Sequence, residues 1–263
     1  MMNWLDSHCH INDKAFREDI NEVLERMVSA DVLRAMIISS YLEDYAYGLT
    51  IHHPRICFAR SLGIYPGDVD DVDEALFESF AKIYETKECA AIGEIGLDYY
   101  WVKDVELRYH QRYWFRRQID LARERQLPIV IHSREAAQDT LDIAKEERIG
   151  DIGGVVHCYA YSVEHAREYL NMGMYLGIGG VLTYKNSRVL KEVVAYAPLT
   201  SLVLESDSPY LTPVPNRGKI NSSLNLPYVV QAIADIKGVT LQEVEDVTWE
   251  NAMKLYRMQN ASA

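Results

Sequence analysis

The first segment of the chain that could bind a metal is Asp6-Ser7-His8-Cys9-His10, which directly follows the apolar pair Trp4-Leu5. If this segment ends a β-strand, alternate side chains share one face, so Asp6, His8 and His10 point to the same side. Two imidazoles placed in this way can bind one divalent cation, with a carboxylate as an orienting partner. An isolated His-x-His is also consistent with one capping histidine and one surface histidine. Further candidate ligands elsewhere in the chain are needed to distinguish a metal site from this alternative.

Other potential ligands stand where further apolar runs end. Glu94 ends Ala-Ala-Ile-Gly-Glu, His132 ends Pro-Ile-Val-Ile-His, and His157 ends Gly-Val-Val-His. The run Leu-Val-Leu-Glu-Ser-Asp supplies Glu205 and Asp207. Any one of these residues could be structural, but together they place four of the eight histidines at the ends of apolar runs. This joint pattern predicts a metal site.

The number of imidazoles indicates more than one cation. A catalytic zinc uses three protein ligands and a water, whereas two divalent ions about 3.5–4 Å apart would use four imidazoles together with carboxylates. We expect Glu94 to bridge the two ions. Asp207 is placed to bind one ion and to take a proton from the attacking water as general base. The donor set suits zinc, manganese or iron, and magnesium less well.

The elements that must position these residues follow a regular rhythm of short apolar runs and longer amphipathic segments. Strands are predicted at 4–8, 35–39, 57–62, 90–94, 128–132, 154–157, 174–178 and 201–205. Helices are predicted at 19–30, 73–85, 105–126, 134–147, 162–172, 187–196, 227–237 and 241–256. Such strands indicate a parallel sheet, and eight strand–helix units close into a barrel with the strand ends on one catalytic rim.

The predicted fold class is therefore α/β, a single (β/α)8 TIM-like barrel over residues 1–263 with a loose tail at the end. An open doubly wound sheet is the alternative, but no Gly-x-Gly-x-x-Gly follows the first strand. No apolar stripe remains unassigned, so we expect a monomer without a protein partner. The four cysteines form no Cys-x-x-Cys, and no membrane span or signal peptide is apparent, which favours a cytoplasmic location.

The net charge of −12 limits the substrates that the chain could bind. It argues against sequence-independent coating of nucleic acid, which normally needs a basic surface. A small site for the end of a phosphodiester chain stays possible, because bound cations would carry the local positive charge.

Several motifs together resemble the TatD-type metal-dependent hydrolases of the amidohydrolase superfamily. The matching segments are 6–10, 92–99 (Ile-Gly-Glu-Ile-Gly-Leu-Asp-Tyr), 111–122, 127–134, 157–159, 177–183 and 204–210. The resemblance implies a divalent metal pair and, commonly, deoxyribonuclease activity. The metal ligands that it implies are His8, His10, Glu94, His132, His157 and Asp207. The candidate substrate contacts are Arg134, Glu205, Tyr65, Tyr159, Lys185 and Arg217, although solvated charges explain Lys185 and Arg217 equally well. The resemblance also implies that Glu205 sits close to the metals, where it is a further but less certain ligand.

Three departures from the family pattern fall in loops that would face the substrate. Gly63-Ile64-Tyr65-Pro66-Gly67 stands where the family usually has Gly-x-His-Pro-His, so both histidines are missing. Tyr159-Ala160-Tyr161 replaces an aromatic-Ser-Gly run, and segment 219–227 replaces an Arg-Asn-x-Pro element. The leading hypothesis is a two-metal deoxyribonuclease or phosphodiesterase that trims nucleic-acid ends by attack of a metal-bound water. The alternatives are a deacylase acting on a small-molecule or aminoacyl ester, and a metal-binding protein without turnover.

Overall fold

The chain forms a ring of eight parallel strands, each adjacent to the next in sequence order. A computed structural model describes residues 4–86 and 88–258, and the expected loose tail lies outside them. The strands are β1 (Trp4–Cys9), β2 (Val32–Ser39), β3 (Cys57–Leu62), β4 (Ala91–Asp98), β5 (Ile129–Arg134), β6 (Gly154–Val156), β7 (Tyr175–Ile178) and β8 (Leu202–Leu204). All eight predicted strands are present, and the predicted (β/α)8 barrel is confirmed.

Helices surround this ring. They are α1 (Lys14–Arg17), α2 (Ile20–Ser29), α3 (Leu42–Thr50), α4 (Glu74–Ile83), α5 (Val105–Arg125), α6 (Ala137–Glu146), α7 (Val163–Asn171), α8 (Arg188–Tyr196), α9 (Leu226–Lys237) and α10 (Leu241–Leu255). Helices α1 and α3 were not predicted from the sequence. The buried face of α3 consists of Tyr45 and Gly48, which do not form an aliphatic stripe. None of the helices in the described residues is both long and apolar enough to cross a membrane.

The ring closes between β8 and β1 through the segments that follow the two strands. The Asp207 N–H donates to the His8 carbonyl at 2.9 Å, and the His10 N–H donates to the Ser208 carbonyl at 2.8 Å. These backbone bonds hold Asp207 beside both histidines of the first motif.

The barrel interior continues directly into the polar rim. Val130, Val155 and Val203 belong to the apolar cluster inside the barrel, which also includes Leu255 at the end of α10 and the following Tyr256. Side chains two positions apart share a face of a strand. The residues two positions after the three valines are therefore directed to the carboxyl end of the barrel interior, and they are His132, His157 and Glu205.

Strand β4 departs from simple alternation and does not end at Glu94. Ile92 and Ile95 both belong to the core between strands and helices, and the pairing register with β5 shifts between Gly93 and Ile95. One extra residue at this irregularity turns Glu94 toward the barrel interior. The prediction that the strand ends at Glu94 is wrong, because β4 continues to Asp98.

Candidate metal centre

One group of donors joins the first strand to the last. The Nε2 atoms of His8 and His10 lie 3.3 Å apart, and Asp207 Oδ1 lies 3.5 Å from each of them. The closure of the ring between β8 and β1 creates this group. Asp207 has a φ of 55°, a left-handed conformation that aspartate tolerates better than most residues.

A second group of donors forms around Glu94. Its Oε1 lies 2.6 Å from His132 Nδ1 and 2.8 Å from His157 Nε2, and these two nitrogens lie 3.2 Å apart. Burial alone would raise the pKa of Glu94, but the surrounding imidazoles of His157 and His132 hold it well below its usual range. The carboxylate is therefore ionised and directed at both imidazoles.

Glu94 also connects the two groups. Its second oxygen, Oε2, lies 3.7 Å from His8 Nε2 and 3.8 Å from His10 Nε2. Each carboxylate oxygen thus faces a different group of imidazoles, which is the arrangement that a carboxylate bridging two cations requires.

The donor set fits divalent cations. Two groups of three side chains, His8–His10–Asp207 and Glu94–His132–His157, each offer donor atoms within 4.8 Å of one another. Two carboxylates that converge in a largely buried site are costly unless positive charge compensates them. Mixed imidazole and carboxylate donors are typical of zinc, manganese and iron sites. The residues predicted as metal ligands are thus brought together by the fold.

Asp98 is a further residue of the candidate site, and it was not predicted from the sequence. Its Oδ2 lies 3.1 Å from His132 Nε2 and accepts a hydrogen bond from the Tyr65 hydroxyl at 3.0 Å. Burial lowers the pKa of His132, but the hydrogen bonds to Asp98 and to the bridging carboxylate outweigh it and raise the pKa to about 9. Asp98 therefore orients His132 so that Nδ1 faces the cluster that the two donor groups form. Its position at the true end of β4 was the available signal.

Glu205 lies beside the cluster and not on the substrate-facing rim. Its Oε1 accepts the Cys158 N–H at 2.5 Å and lies 3.9 Å from His157 Nδ1, while Oε2 has no hydrogen-bond partner in the described residues. Burial raises the pKa of Glu205 to about 8. At 1% exposure the carboxylate is inaccessible to a substrate, so the expectation of a substrate contact is wrong. Together with His8 and His157 it forms a third group of potential donors.

Asp6 orients the backbone and not an imidazole. Its Oδ1 accepts the N–H groups of His8 and Ser206 at 3.2 and 3.0 Å, and its Oδ2 accepts the Ser223 hydroxyl at 2.6 Å. Asp6 was expected to be an orienting partner of the metal ligands. Its actual role is to connect β1 to the segments after β8, which fixes the position of the Asp207 backbone.

The two tyrosines predicted to contact substrate differ in exposure. Tyr159 is only 2% exposed and its hydroxyl donates to the Ser162 carbonyl at 2.8 Å, so the prediction of a substrate contact is wrong there. Tyr65 is half-buried beside the cluster, with its ring edge-on to His132 at a centroid distance of 5.0 Å. A Cβ atom at position 67 would lie 2.6 Å from the Tyr65 ring. The absence of a side chain at Gly67 thus leaves room for the Tyr65 ring, and these two residues occupy the positions of the two missing histidines.

The three predicted cationic contacts are exposed. The Arg134 guanidinium lies 3.9 Å from the Tyr100 ring centroid, and the Arg217 guanidinium lies 4.0 Å from the Tyr184 ring centroid. Lys185 is exposed on the segment after β7. Within residues 4–86 and 88–258, none of the three forms an ion pair with the cluster.

A parallel (β/α)8 barrel with four imidazoles and two carboxylates at its carboxyl rim defines a metal-dependent hydrolase of the amidohydrolase superfamily. The family model described as TatD related DNase matches residues 5–257. The chain therefore belongs to the TatD family, and the resemblance noted in its motifs is confirmed.

Relatives and solved structures agree with this assignment. The chain is 37% identical over 253 residues to the uncharacterized metal-dependent hydrolase YabD of Bacillus subtilis, covering 96% of this chain and 98% of that protein. It is 33% identical over 257 residues to YcfH of Escherichia coli, also named an uncharacterized metal-dependent hydrolase, covering 97% and 96%. The crystal structure of the TatD homologue YJJV from Escherichia coli has the same fold, with a TM-score of 0.89, 24% identity and coverage of 98% and 99%.

Proposed function

We propose that this metal-dependent hydrolase is a phosphodiesterase that uses two divalent ions to trim the ends of single-stranded DNA. The observation that carries the proposal is the pairing of two donor groups through the two oxygens of Glu94. Such paired sites are typical of enzymes that cleave phosphate esters. An exposed arginine, Arg134, follows His132 on the same strand and is a suitable contact for a phosphate.

The chain supplies the ligands and the base. His8, His10 and Asp207 would hold one ion, His132 and His157 the other, and Glu94 would contact both. When bound, zinc, manganese, iron or magnesium would make a water molecule more acidic and stabilise negative charge on the phosphate oxygens.

Asp207 is the residue that we assign as general base. Its Oδ1 is directed at His8 and His10. Its side chain is 13% exposed, so water can reach the carboxylate. The backbone bond from Asp207 to the His8 carbonyl fixes the residue at the mouth of the site. The carboxylate would accept the proton of the attacking water.

Hydrolysis of an acyl or amide bond is the second candidate. It is favoured by the Tyr65–Gly67 pair, which replaces two histidines on the rim, and by the net charge of −12. Competition distinguishes the two candidates, because nucleoside monophosphates should compete with a phosphodiester substrate and simple carboxylates with an acyl substrate. A protein that binds metal and hydrolyses no ester would correspond to the non-enzymatic alternative.

The test is a metal-supplemented assay on end-labelled single-stranded DNA. The wild-type protein should shorten the DNA stepwise, and Asp207→Asn should lower the rate by a factor of about 100 or more. Asp68→Asn is the matched control, because Asp68 binds the Tyr41 hydroxyl on the surface and lies outside the donor groups. If the wild-type protein binds two equivalents of metal but leaves DNA and RNA intact, the phosphodiesterase proposal is wrong.

A further inference from the structure

Two exposed aromatic side chains, Tyr100 and Trp101, follow β4, the strand that carries Glu94 and Asp98. Trp101 is 66% exposed and Tyr100 is 40% exposed, and their rings meet edge-to-face at a centroid distance of 4.7 Å. Among the tryptophans of the described residues, Trp4 and Trp114 are buried in the core. Packing of the fold accounts for those two but not for Trp101, whose apolar surface faces solvent.

An unpaired cation lies against the same rings. The Arg134 guanidinium carbon is 3.9 Å from the Tyr100 ring centroid and 5.5 Å from that of Trp101. Within residues 4–86 and 88–258, Arg134 has no carboxylate within ion-pair distance, whereas Arg112 binds Asp139 at 2.6 Å. Stacking on an aromatic ring leaves the N–H edge of a guanidinium free to bind an anion.

The aromatic pair is fixed relative to the metal centre by one carboxylate. Asp98 Oδ1 accepts the backbone N–H groups of Tyr100 and Trp101, each at 2.9 Å. The other oxygen of the same carboxylate lies 3.1 Å from His132 Nε2. The backbone that carries both rings is therefore connected through Asp98 to His132.

We propose that Tyr100, Trp101 and Arg134 form a subsite for the nucleotide next to the phosphodiester bond that is hydrolysed. The unpaired base stacks on the exposed aromatic surface, and the guanidinium binds a phosphate. This inference rests on the proposed function and assigns the residues that would hold the base of a single strand, since a base can stack in this way only when it is unpaired. The acidic segment 68–78, which follows Tyr65 on the rim, would repel the second strand of a duplex.

Binding of two oligomers tests the subsite. One is fluorescein-labelled pentathymidylate, and the other is an abasic pentamer with the same sugar-phosphate backbone. Metal-loaded Asp207→Asn protein keeps the oligomers intact during the measurement of anisotropy. We expect pentathymidylate to bind about 10-fold or more tightly than the abasic pentamer and to quench the fluorescence of Trp101.

Substitutions separate the base contact from the phosphate contact. In the same background, Trp101→Ala should weaken pentathymidylate binding about 5- to 100-fold and leave the abasic pentamer within about twofold. Arg134→Gln should weaken both oligomers by a similar factor and reduce the salt dependence of binding. Tyr228→Ala is the control, because Tyr228 on α9 is 40% exposed, as is Tyr100, and should change neither affinity.

The inference is overturned if Trp101→Ala leaves pentathymidylate binding unchanged, if the abasic pentamer binds equally well, or if neither oligomer binds. Turnover separates this failure from failure of the proposed function. If the wild-type protein shortens DNA and the Trp101→Ala variant has the same KM, the proposed function is supported and the subsite is refuted. A protein that binds pentathymidylate through Trp101 but releases no nucleotide would refute the phosphodiesterase and leave the binding subsite in place.

Discussion

Replacement of Gly177 by alanine should destabilise the protein and weaken metal binding without altering a proposed ligand. A Cβ atom at this position of β7 would lie 2.1 Å from Glu205 Oε2 and 2.7 Å from its Cδ, whereas ordinary contacts begin near 3.4 Å. The Glu205 carboxylate would therefore have to move.

The surroundings of Glu205 set the magnitude of the effect. The side chain is 1% exposed and Oε1 accepts the Cys158 N–H, so the carboxylate cannot turn into solvent. Overpacking of such a site costs about 1–3 kcal/mol, and loss of the hydrogen bond adds to it. His157 Nδ1 lies 3.9 Å from the same oxygen, so displacement of Glu205 should also disturb this imidazole and lower metal affinity.

Urea unfolding of the metal-free proteins and calorimetric titration with Zn²⁺ measure the two effects. We expect Gly177→Ala to lower the free energy of unfolding by about 2 kcal/mol and metal affinity by about 10-fold. Gly48→Ala on α3 is the control, since its Cβ atom would meet Ile37 at an ordinary distance of 3.5 Å. That variant should be as stable as the wild type or slightly more so.

A double-mutant cycle with Glu205→Ala identifies the cause. Removal of the carboxylate removes the clash, so Gly177→Ala should cost little in the Glu205→Ala background. Strictly additive effects of the two substitutions would refute the steric explanation. The same conclusion would follow if Gly177→Ala were no more destabilising than Gly48→Ala.

Three further predictions concern the rim and the thiols. Tyr65→Phe removes the hydroxyl that donates to Asp98, and Zn²⁺ affinity measured by calorimetry should fall about 3- to 10-fold, since Asp98 orients one imidazole of the cluster. Gly67→Ala should lower Zn²⁺ affinity in the wild type but not in a Tyr65→Ala background, because its Cβ atom would clash only with the tyrosine ring; equal effects in both backgrounds would contradict this. Burial raises the pKa of Cys89 to about 11, so its thiolate is scarce below that pH, and mass spectrometry after iodoacetamide treatment at pH 8 should find exposed Cys57 labelled and Cys89 unlabelled.

Local sequence was enough to predict the strands and most helices. Each depends on the spacing of apolar residues over a few positions, and the valines before His132 and His157 show how alternation carries a side chain from the barrel interior to the rim. Alternation alone failed at β4, where a register irregularity directs Glu94 inward and the strand continues to Asp98. The extra residue places Ile92 and Ile95, which both pack in the core, three positions apart and so interrupts the alternation. A strand predicted from strict alternation therefore stopped at Glu94, and Asp98 was missed as the partner of His132.

Exposure of the aromatic residues could not be predicted from their positions on the rim. Tyr159 and Trp101 both follow strand segments, yet Tyr159 packs inside the fold and Trp101 faces solvent. The difference depends on which neighbouring segments cover each ring, and those neighbours are distant in sequence.

The sequence by itself determined the class of fold, the six candidate donor side chains and the family to which the chain belongs. Tertiary structure decided how the donors are grouped. Asp6 contacts Ser206 across a separation of 200 residues, and the adjacent backbone bonds bring Asp207 to His8 and His10. The pattern of apolar residues within each strand is a local property of the sequence. Contact between the first and last strands depends instead on closure of the whole barrel.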